Sequence, residues 1–427
     1  MEVKLPYGKG ERILRIPEGI RVDFLKSRER APLEDLPVAF AEACHNPVGG
    51  ASLHDMAAAA GDVVILVSDL TRSRGAEVIL PLCIAYLDGI GLHPSSIKIL
   101  VARGTHRKLT KTEKAFFRKG PLAGMVLEEH DCDDPEKLSA LVLTHRGTPV
   151  RVNIALRDAG LIVVLAPISF HYFAGFGGGR KLVLPGCADR QAILANHRLS
   201  LVDGRPVKLH PSCQPGVLEG NPVHEDMCET AAALKRVFAI NFFADKAGDI
   251  VFLNAGDLIK SHTEACDAYR NAHVCLVGEP YDVVVLSAGG YPYDINFLQS
   301  HKPLRHAAPA VKKGGTVLYF AECEEGVGSP RLEAALKRKK EHFLKDAYKR
   351  YDLNNQTVIS LYDLGKHCEI GVVSSVKPDV LSACGMTLCS DADSFLAGAL
   401  SRHGANRIAV VEEGHNLLPK FETGGGA

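Results

Sequence analysis

The stretch HYFAGFGGGRKLVLPG, His171 to Gly186, sets an imidazole ten residues ahead of a lysine amine with four glycines between them. An imidazole exchanges protons near neutral pH, and an amine pairs with anions or attacks electrophiles, so the parts for proton transfer beside an acidic substrate are present. His106, in RGTHR, is a second imidazole in a similar setting, and the two together make a candidate acid/base pair. The segment DLTR places Asp69 beside Leu70, Thr71 and Arg72, a carboxylate suited to capping a helix and a guanidinium suited to forking onto a carboxylate or phosphate. Gln299 and Lys302, in LQSHK, are three residues apart and share one helical face. Taken singly, each has an ordinary explanation: a helix cap, a backbone-bonded histidine, a solvated polar face. Together they describe a site.

Two familiar phosphate motifs fail on the glycine segment. A P-loop needs G-x-x-x-x-G-K-[ST], whereas Lys181 follows Arg180 and precedes Leu182. The dinucleotide fingerprint begins at Gly175 and Gly177, but Arg180 occupies its last glycine position. What remains is backbone that can approach a bulky group and turn N–H groups toward an anion, or else a mobile surface turn. Neither H-E-x-x-H nor C-x-x-C occurs, and His171 and His197 are too far apart to be ligands from one helix face. A zinc site would have to be assembled from distant loops.

The elements that must position these residues follow from hydrophobic pattern. VVILVSD (Val63 to Asp69), IKILVARG (Ile97 to Gly104) and LIVVLAPIS (Leu161 to Ser169) are β-branched runs alternating with helical segments, the rhythm of a mostly parallel sheet covered by helices. A crossover helix ending near Gly89 joins the first two, and the N-terminus forms a hairpin turning at Tyr7 to Gly10. A second set of strands is expected at Val283 to Gly290, Gly315 to Cys323, Pro378 to Gly385 and Arg407 to Gly414, after a polar helix near His262 to Arg270. The expected division is residues 1–272 as a cofactor-binding and catalytic domain and 273–427 as a second α/β domain contributing substrate-binding residues. In open parallel sheets ligands bind beyond the carboxyl ends of the strands, which is where the reactive loops lie.

Composition excludes several classes. A chain of 427 residues with 46% apolar and 23% charged side chains is an ordinary globular protein, long enough for two domains. Fifty basic residues balance fifty acidic ones, so no net field points to nucleic acid or an anionic membrane. The N-terminus lacks signal-peptide order and no run reaches the length of a membrane span, so a cytoplasmic location is expected. Twelve cysteines scattered without pairs point to reduced core thiols.

DLTR (69–72), GTHR (104–107), the H-Y-F-A-G-F-G-G-G-R-K loop, NHRL (196–199) and GGYPYDINFLQSHK, in that order, resemble the nickel-pincer lactate racemase family. The resemblance implies two α/β domains with Rossmann-like sheets and an active-site cleft between them. It implies a racemase or epimerase that inverts C2 of lactate or a related short 2-hydroxy acid by proton-coupled hydride transfer through a 2-oxo acid. The hydride acceptor would be a nickel(II) pyridinium-3,5-bisthiocarboxylate mononucleotide, joined covalently to Lys181, with His197 as the protein ligand to nickel and Asp69, Leu70, Thr71 and Arg72 as further cofactor contacts. His106 and His171 would be the two bases, one for each enantiomer. Arg72, Gln299 and Lys302 would hold the substrate, and enzymes that build the pincer nucleotide would be partners. Leu298 and His301 depart from a lactate-type pocket and leave the C3 substituent open. Two other readings of the same residues are a zinc-dependent hydrolase or lyase using Asp69, His171 and His197 with Lys181 as an electrophile, and a non-catalytic two-domain carboxylate-binding protein clamping through Arg72 and Lys302.

Overall fold

A computed structural model describes residues 1–69, 75–117 and 119–421. They divide into two compact units. The larger comprises Glu29–Leu199 and Ser212–Asn271, and the smaller comprises Met1–Arg28, Ser200–Pro211 and Ala272–Ala427. One passage between units thus falls after Asn271, near the expected change, but the N-terminal residues belong with the C-terminal ones. The reason is strand pairing: Arg21–Phe24 forms the edge of the smaller unit's sheet, bonded in parallel to Arg407–Val411.

The larger unit is built on a six-stranded sheet. Its spatial order is Ile250–Gly256, Val237–Ala244, Leu161–Pro167, Val63–Ser68, Ile97–Ala102, Val126–Glu129. Only the Ile250–Gly256 edge is antiparallel. The three apolar runs picked out by sequence are neighbouring central strands, buried on both faces as parallel strands must be. Helix Ala76–Gly89 covers one face with Ile79, Leu80, Cys83, Ile84 and Leu87, all in one cluster with Val63, Ile65, Ile99 and Val163. Each such aliphatic side chain contributes roughly 1.5–3 kcal/mol on full burial.

The smaller unit carries the second sheet, all parallel, in the order Thr387–Leu388, Glu369–Val373, Val311–Phe320, Tyr281–Ser287, Arg407–Val411, Arg21–Phe24. The N-terminal hairpin forms as expected, with Tyr7 opposite Gly10. The expected strand at Pro378 is a helix, Pro378–Ala383. Proline suits a first helical turn and cannot donate within a sheet ladder, and the buried Val380, Leu381 and Cys384 repeat at helical spacing. The strand role falls instead to the short run Glu369–Val373. All twelve cysteines are free thiols and ten are buried. No helix among the described residues is long and apolar enough to cross a membrane.

Candidate active site

Three adjacent parallel strands of the larger unit end at the same sheet edge, and each delivers a predicted site residue there. Asp69 follows Val63–Ser68, His106 follows Ile97–Ala102, and His171 follows Leu161–Pro167. Asp69 Oδ2 accepts from His106 Nδ1 at 2.7 Å, the carboxylate side chain only 6% exposed and the ring 27% exposed. A carboxylate on Nδ1 holds the neutral ring in the Nδ1–H tautomer, which makes Nε2 the basic nitrogen. The turn carrying His106 is pinned on both sides. Arg103 Nη1 donates to the His106 carbonyl at 2.5 Å while its Nη2 meets Asp131 at 3.0 Å. Gly104, at φ +53°, donates to Gly186 O at 2.9 Å, with Pro185 O only 3.1 Å from where a Cβ would sit.

The glycine segment is neither a mobile turn nor an open cradle. Residues 170–184 are buried without exception, and the protein's own atoms occupy the space each missing Cβ leaves. A Cβ on Gly175 would stand 2.2 Å from Val217 O, one on Gly178 2.8 Å from Pro167 O, and one on Gly179 2.5 Å from the His262 ring. The expectation that these glycines make room for a bound group is therefore corrected: they let the loop fold onto itself and its neighbours.

Arg180, fully buried, ties that fold together. Its Nη1 donates to the carbonyls of Phe176 (3.0 Å) and Gly177 (3.3 Å), its Nη2 to Ala174 (2.9 Å), and its Nε to His224 Nδ1 (3.0 Å). His262 Nε2 lies 2.9 Å from both Arg180 Nη1 and Gly177 O. Burial, reinforced by the Arg180 charge, pushes His224 down to about 3 and holds His262 well below the ordinary imidazole range, so both rings are neutral. Sequence reasoning passed over Arg180 except as a motif breaker, and missed His224 and His262; nothing local marks them, because they reach the loop from separate helices.

What this packing presents is one aromatic ring with three predicted site residues against it. Phe173 lies edge-on to His171 (centroids 4.6 Å) and to His197 (5.0 Å), and Lys181 Nζ sits 5.6 Å from its centroid. Lys181 is buried, with Nζ 3.4 Å from His171 Nε2. The Ala174 amide donates to His171 Nδ1 at 3.2 Å. Both ring nitrogens of His171 thus face a nitrogen donor, the Ala174 amide at Nδ1 and the Lys181 amine at Nε2. His197 lies in the last turn of helix Arg190–Arg198, its Nδ1 3.2 Å from Asn196 Oδ1.

In the smaller unit, Asn296 caps helix Phe297–Ala307 by accepting from the Gln299 amide. Lys302 Nζ donates to Gln299 Oε1 at 2.5 Å, so this predicted pair does meet on one helical face. His301 points into the protein, donating to Leu298 O, and burial with the neighbouring Lys302 charge pushes it down to about 3. Leu70, Thr71 and Arg72 lie outside the described residues. Among the described residues the one group of three close metal-ligating side chains is Asp131, Cys132 and Asp133, so Asp69, His171 and His197 are not gathered into a protein-built zinc site.

Residues 7–207 match the lactate racemase N-terminal domain and residues 277–418 the lactate racemase C-terminal domain. The lactate racemase of Thermoanaerobacterium thermosaccharolyticum is 33% identical over 332 residues, 76% of this chain and 75% of that protein. That of Lactiplantibacillus plantarum is 29% identical over 385 residues, 88% and 89% of the two chains. The structure of the Thermoanaerobacterium lactate racemase apoprotein superposes with a TM-score of 0.87 at 28% identity, covering 98% of this chain and all of that one. A Thermotoga maritima protein shares the fold alone, at 15% identity and a TM-score of 0.66 over 92% of this chain and all of that one. With coverage running through both units, the chain belongs to the lactate racemase family.

Proposed function

We propose that this protein racemises lactate or a related short 2-hydroxy acid, using a nickel-pincer nucleotide. The observation that carries the reading is the convergence of His171, Lys181 and His197 on the ring of Phe173. These are the proposed base, the proposed attachment point and the proposed nickel ligand, brought to one place by separate elements. The donor set fits the group: a buried amine for a covalent anchor, and one imidazole for a metal whose remaining donors are supplied by the nucleotide's own sulfur-bearing arms. Asp69, Leu70, Thr71 and Arg72 would complete its binding.

When bound, the nucleotide supplies an acceptor for hydride from C2, chemistry no side chain here can perform. The protein's part is proton movement and orientation. With Nδ1 held by Asp69, His106 takes the substrate hydroxyl proton at Nε2 as the 2-oxo acid forms. His171 delivers a proton to the oxo oxygen once hydride has returned to the opposite face, and the roles exchange for the other enantiomer. Arg72, Gln299 and Lys302 hold the carboxylate and oxo groups, the lysine charge stabilising developing negative charge. The reading also proposes dedicated enzymes that supply the nucleotide and a cytoplasmic location shared with them.

The test is expression with and without those enzymes, followed by nickel analysis, intact mass, and chiral chromatography of several 2-hydroxy acids. Expected are stoichiometric nickel, a mass increment mapping to Lys181, and interconversion of enantiomers only in the loaded protein. Failure to interconvert any acid in a nickel-dependent way would sink the proposal.

A further inference from the structure

His197 is the end of a buried polar chain that crosses three secondary-structure elements of the larger unit. Thr144 and Thr148 sit at the turn between strands Leu138–Leu143 and Pro149–Asn153. Both donate to Asp226, on helix Pro222–Ala232: Thr144 Oγ1 to Oδ1 at 2.5 Å and Thr148 Oγ1 to Oδ2 at 2.9 Å. Asp226 Oδ2 also accepts from Asn196 Nδ2 at 2.9 Å. Asn196 Nδ2 donates as well to the Val223 carbonyl at 3.1 Å, and Asn196 Oδ1 then meets His197 Nδ1 at 3.2 Å. Thr144, Thr148, Asn196 and Asp226 are all at least 97% buried.

Donor and acceptor logic removes the freedom from this chain. A carbonyl oxygen and a carboxylate oxygen accept only, so both must face the Asn196 NH2 group, and the amide cannot be turned over. Its oxygen is thereby fixed toward His197, and an amide oxygen also accepts only. The His197 ring must donate through Nδ1–H, which in the neutral form places the lone pair on Nε2. An unconstrained imidazole prefers the other tautomer, so the chain works against the intrinsic preference.

We infer that Asn196 and Asp226 are positioning residues that hold His197 in the Nδ1–H tautomer and so define Nε2 as its metal-ligating nitrogen. The inference rests on the proposed role of His197 as nickel ligand. Histidines that bind metals commonly donate their second nitrogen to a fixed oxygen, and loss of that partner weakens metal binding by about 10–100-fold. Here the fixed oxygen is an amide, and the carboxylate acts one step further out by orienting it. Thr144 and Thr148 serve Asp226 as Asp226 serves Asn196.

Long-range proton–nitrogen NMR on the nickel-free full chain, labelled at histidine and held above the imidazole titration range, reads the tautomer without any metal or substrate. Wild type should show His197 protonated on Nδ1, and Asn196→Ala should return it to the Nε2–H form. If Asn196→Ala does not fold, Asp226→Asn, which can place an amide NH2 against the Asn196 NH2 and so release it, should give a mixture of the two tautomers. In the loaded protein the same variants should lose nickel to a chelator about 10–100-fold more readily. A wild-type His197 protonated on Nε2, or variants that keep the Nδ1–H form, would overturn the positioning role whatever the enzyme's activity. A tautomer change with unaltered nickel retention would overturn the link to the metal. Absence of nickel from wild type after co-expression, with the Nδ1–H tautomer intact, would instead sink the functional reading and the metal half of this inference with it.

Discussion

The buried carboxylate of Asp69 bonds to His106 Nδ1 at 2.7 Å, and each residue lies just past the carboxyl end of its own strand. The pairing converts two adjacent strand ends into one oriented base. Asp69→Asn should therefore be tested with nickel content and kinetics together. Replacing the carboxylate by an amide removes the charge that holds the ring and permits the other tautomer, and kcat should fall by about 100-fold, within the usual worth of an oriented general base. Nickel retained with kcat lost shows that orientation of His106 is the larger part of Asp69's work; nickel lost with it shows that cofactor binding is. His106→Ala and His171→Ala should each abolish interconversion while leaving nickel in place, and racemisation surviving in either would remove that histidine from the two-base scheme.

Phe173 makes a second case, because His171, Lys181 and His197 share its ring. Phe173→Leu keeps the site apolar and loses the planar face. The nucleotide increment on Lys181 should form several-fold less completely in this variant, read by intact mass, whereas Lys181→Ala should show none. Full loading of Phe173→Leu would mean that the ring is core packing and nothing more.

Much of this was legible in the sequence, and the limits are physical. The β-branched runs before Asp69, Gly104 and Ser169 announce buried parallel strands, and the position of reactive residues just past them locates the sheet edge. Pro378 to Gly385 misleads because a short apolar run fits a strand or a helix until its proline is given weight. The glycine segment misleads differently. Its glycines answer to Val217, Pro167 and His262, and such close approaches are set by tertiary packing that no local pattern records. Asp226 and Asn196 are thirty residues apart in sequence yet share a hydrogen bond, and neither carries a motif that announces it.

The packing account of the glycines makes a comparison between two substitutions. Gly175 (φ +76°) and Gly120 (φ +56°) both occupy left-handed backbone, but an alanine at 120 would meet open space while one at 175 would meet Val217 O at 2.2 Å. The left-handed conformation alone costs a non-glycine residue about 1–3 kcal/mol. Gly120→Ala should lose no more than that in urea unfolding. Gly175→Ala should lose clearly more and should also lower loading at Lys181, since the backbone leading to it must move. Equal losses from the two would restore the view of the segment as an open loop.

Acid sensitivity should come from the core of the same segment. His224 is depressed to about 3 and His262 lies well below its ordinary value, both because burial disfavours the charged ring and because Arg180 is already positive beside them. The unfolded chain binds protons at these rings at about 6.5, the folded chain only far lower, so the unfolded state is the one drawn out by acid. The stabilisation from neutral His224 is complete above about 6.5 and is lost progressively as pH falls toward about 3, and that from His262 falls in the same direction. Each fully neutral histidine in that window contributes a slope of up to about 1.4 kcal/mol per pH unit. The urea midpoint of the nickel-free protein should thus decline steadily below about 6.5. His224→Gln, which can still accept from Arg180 but cannot titrate, should decline less steeply. Parallel curves for wild type and variant would show that His224 is not held neutral by the fold.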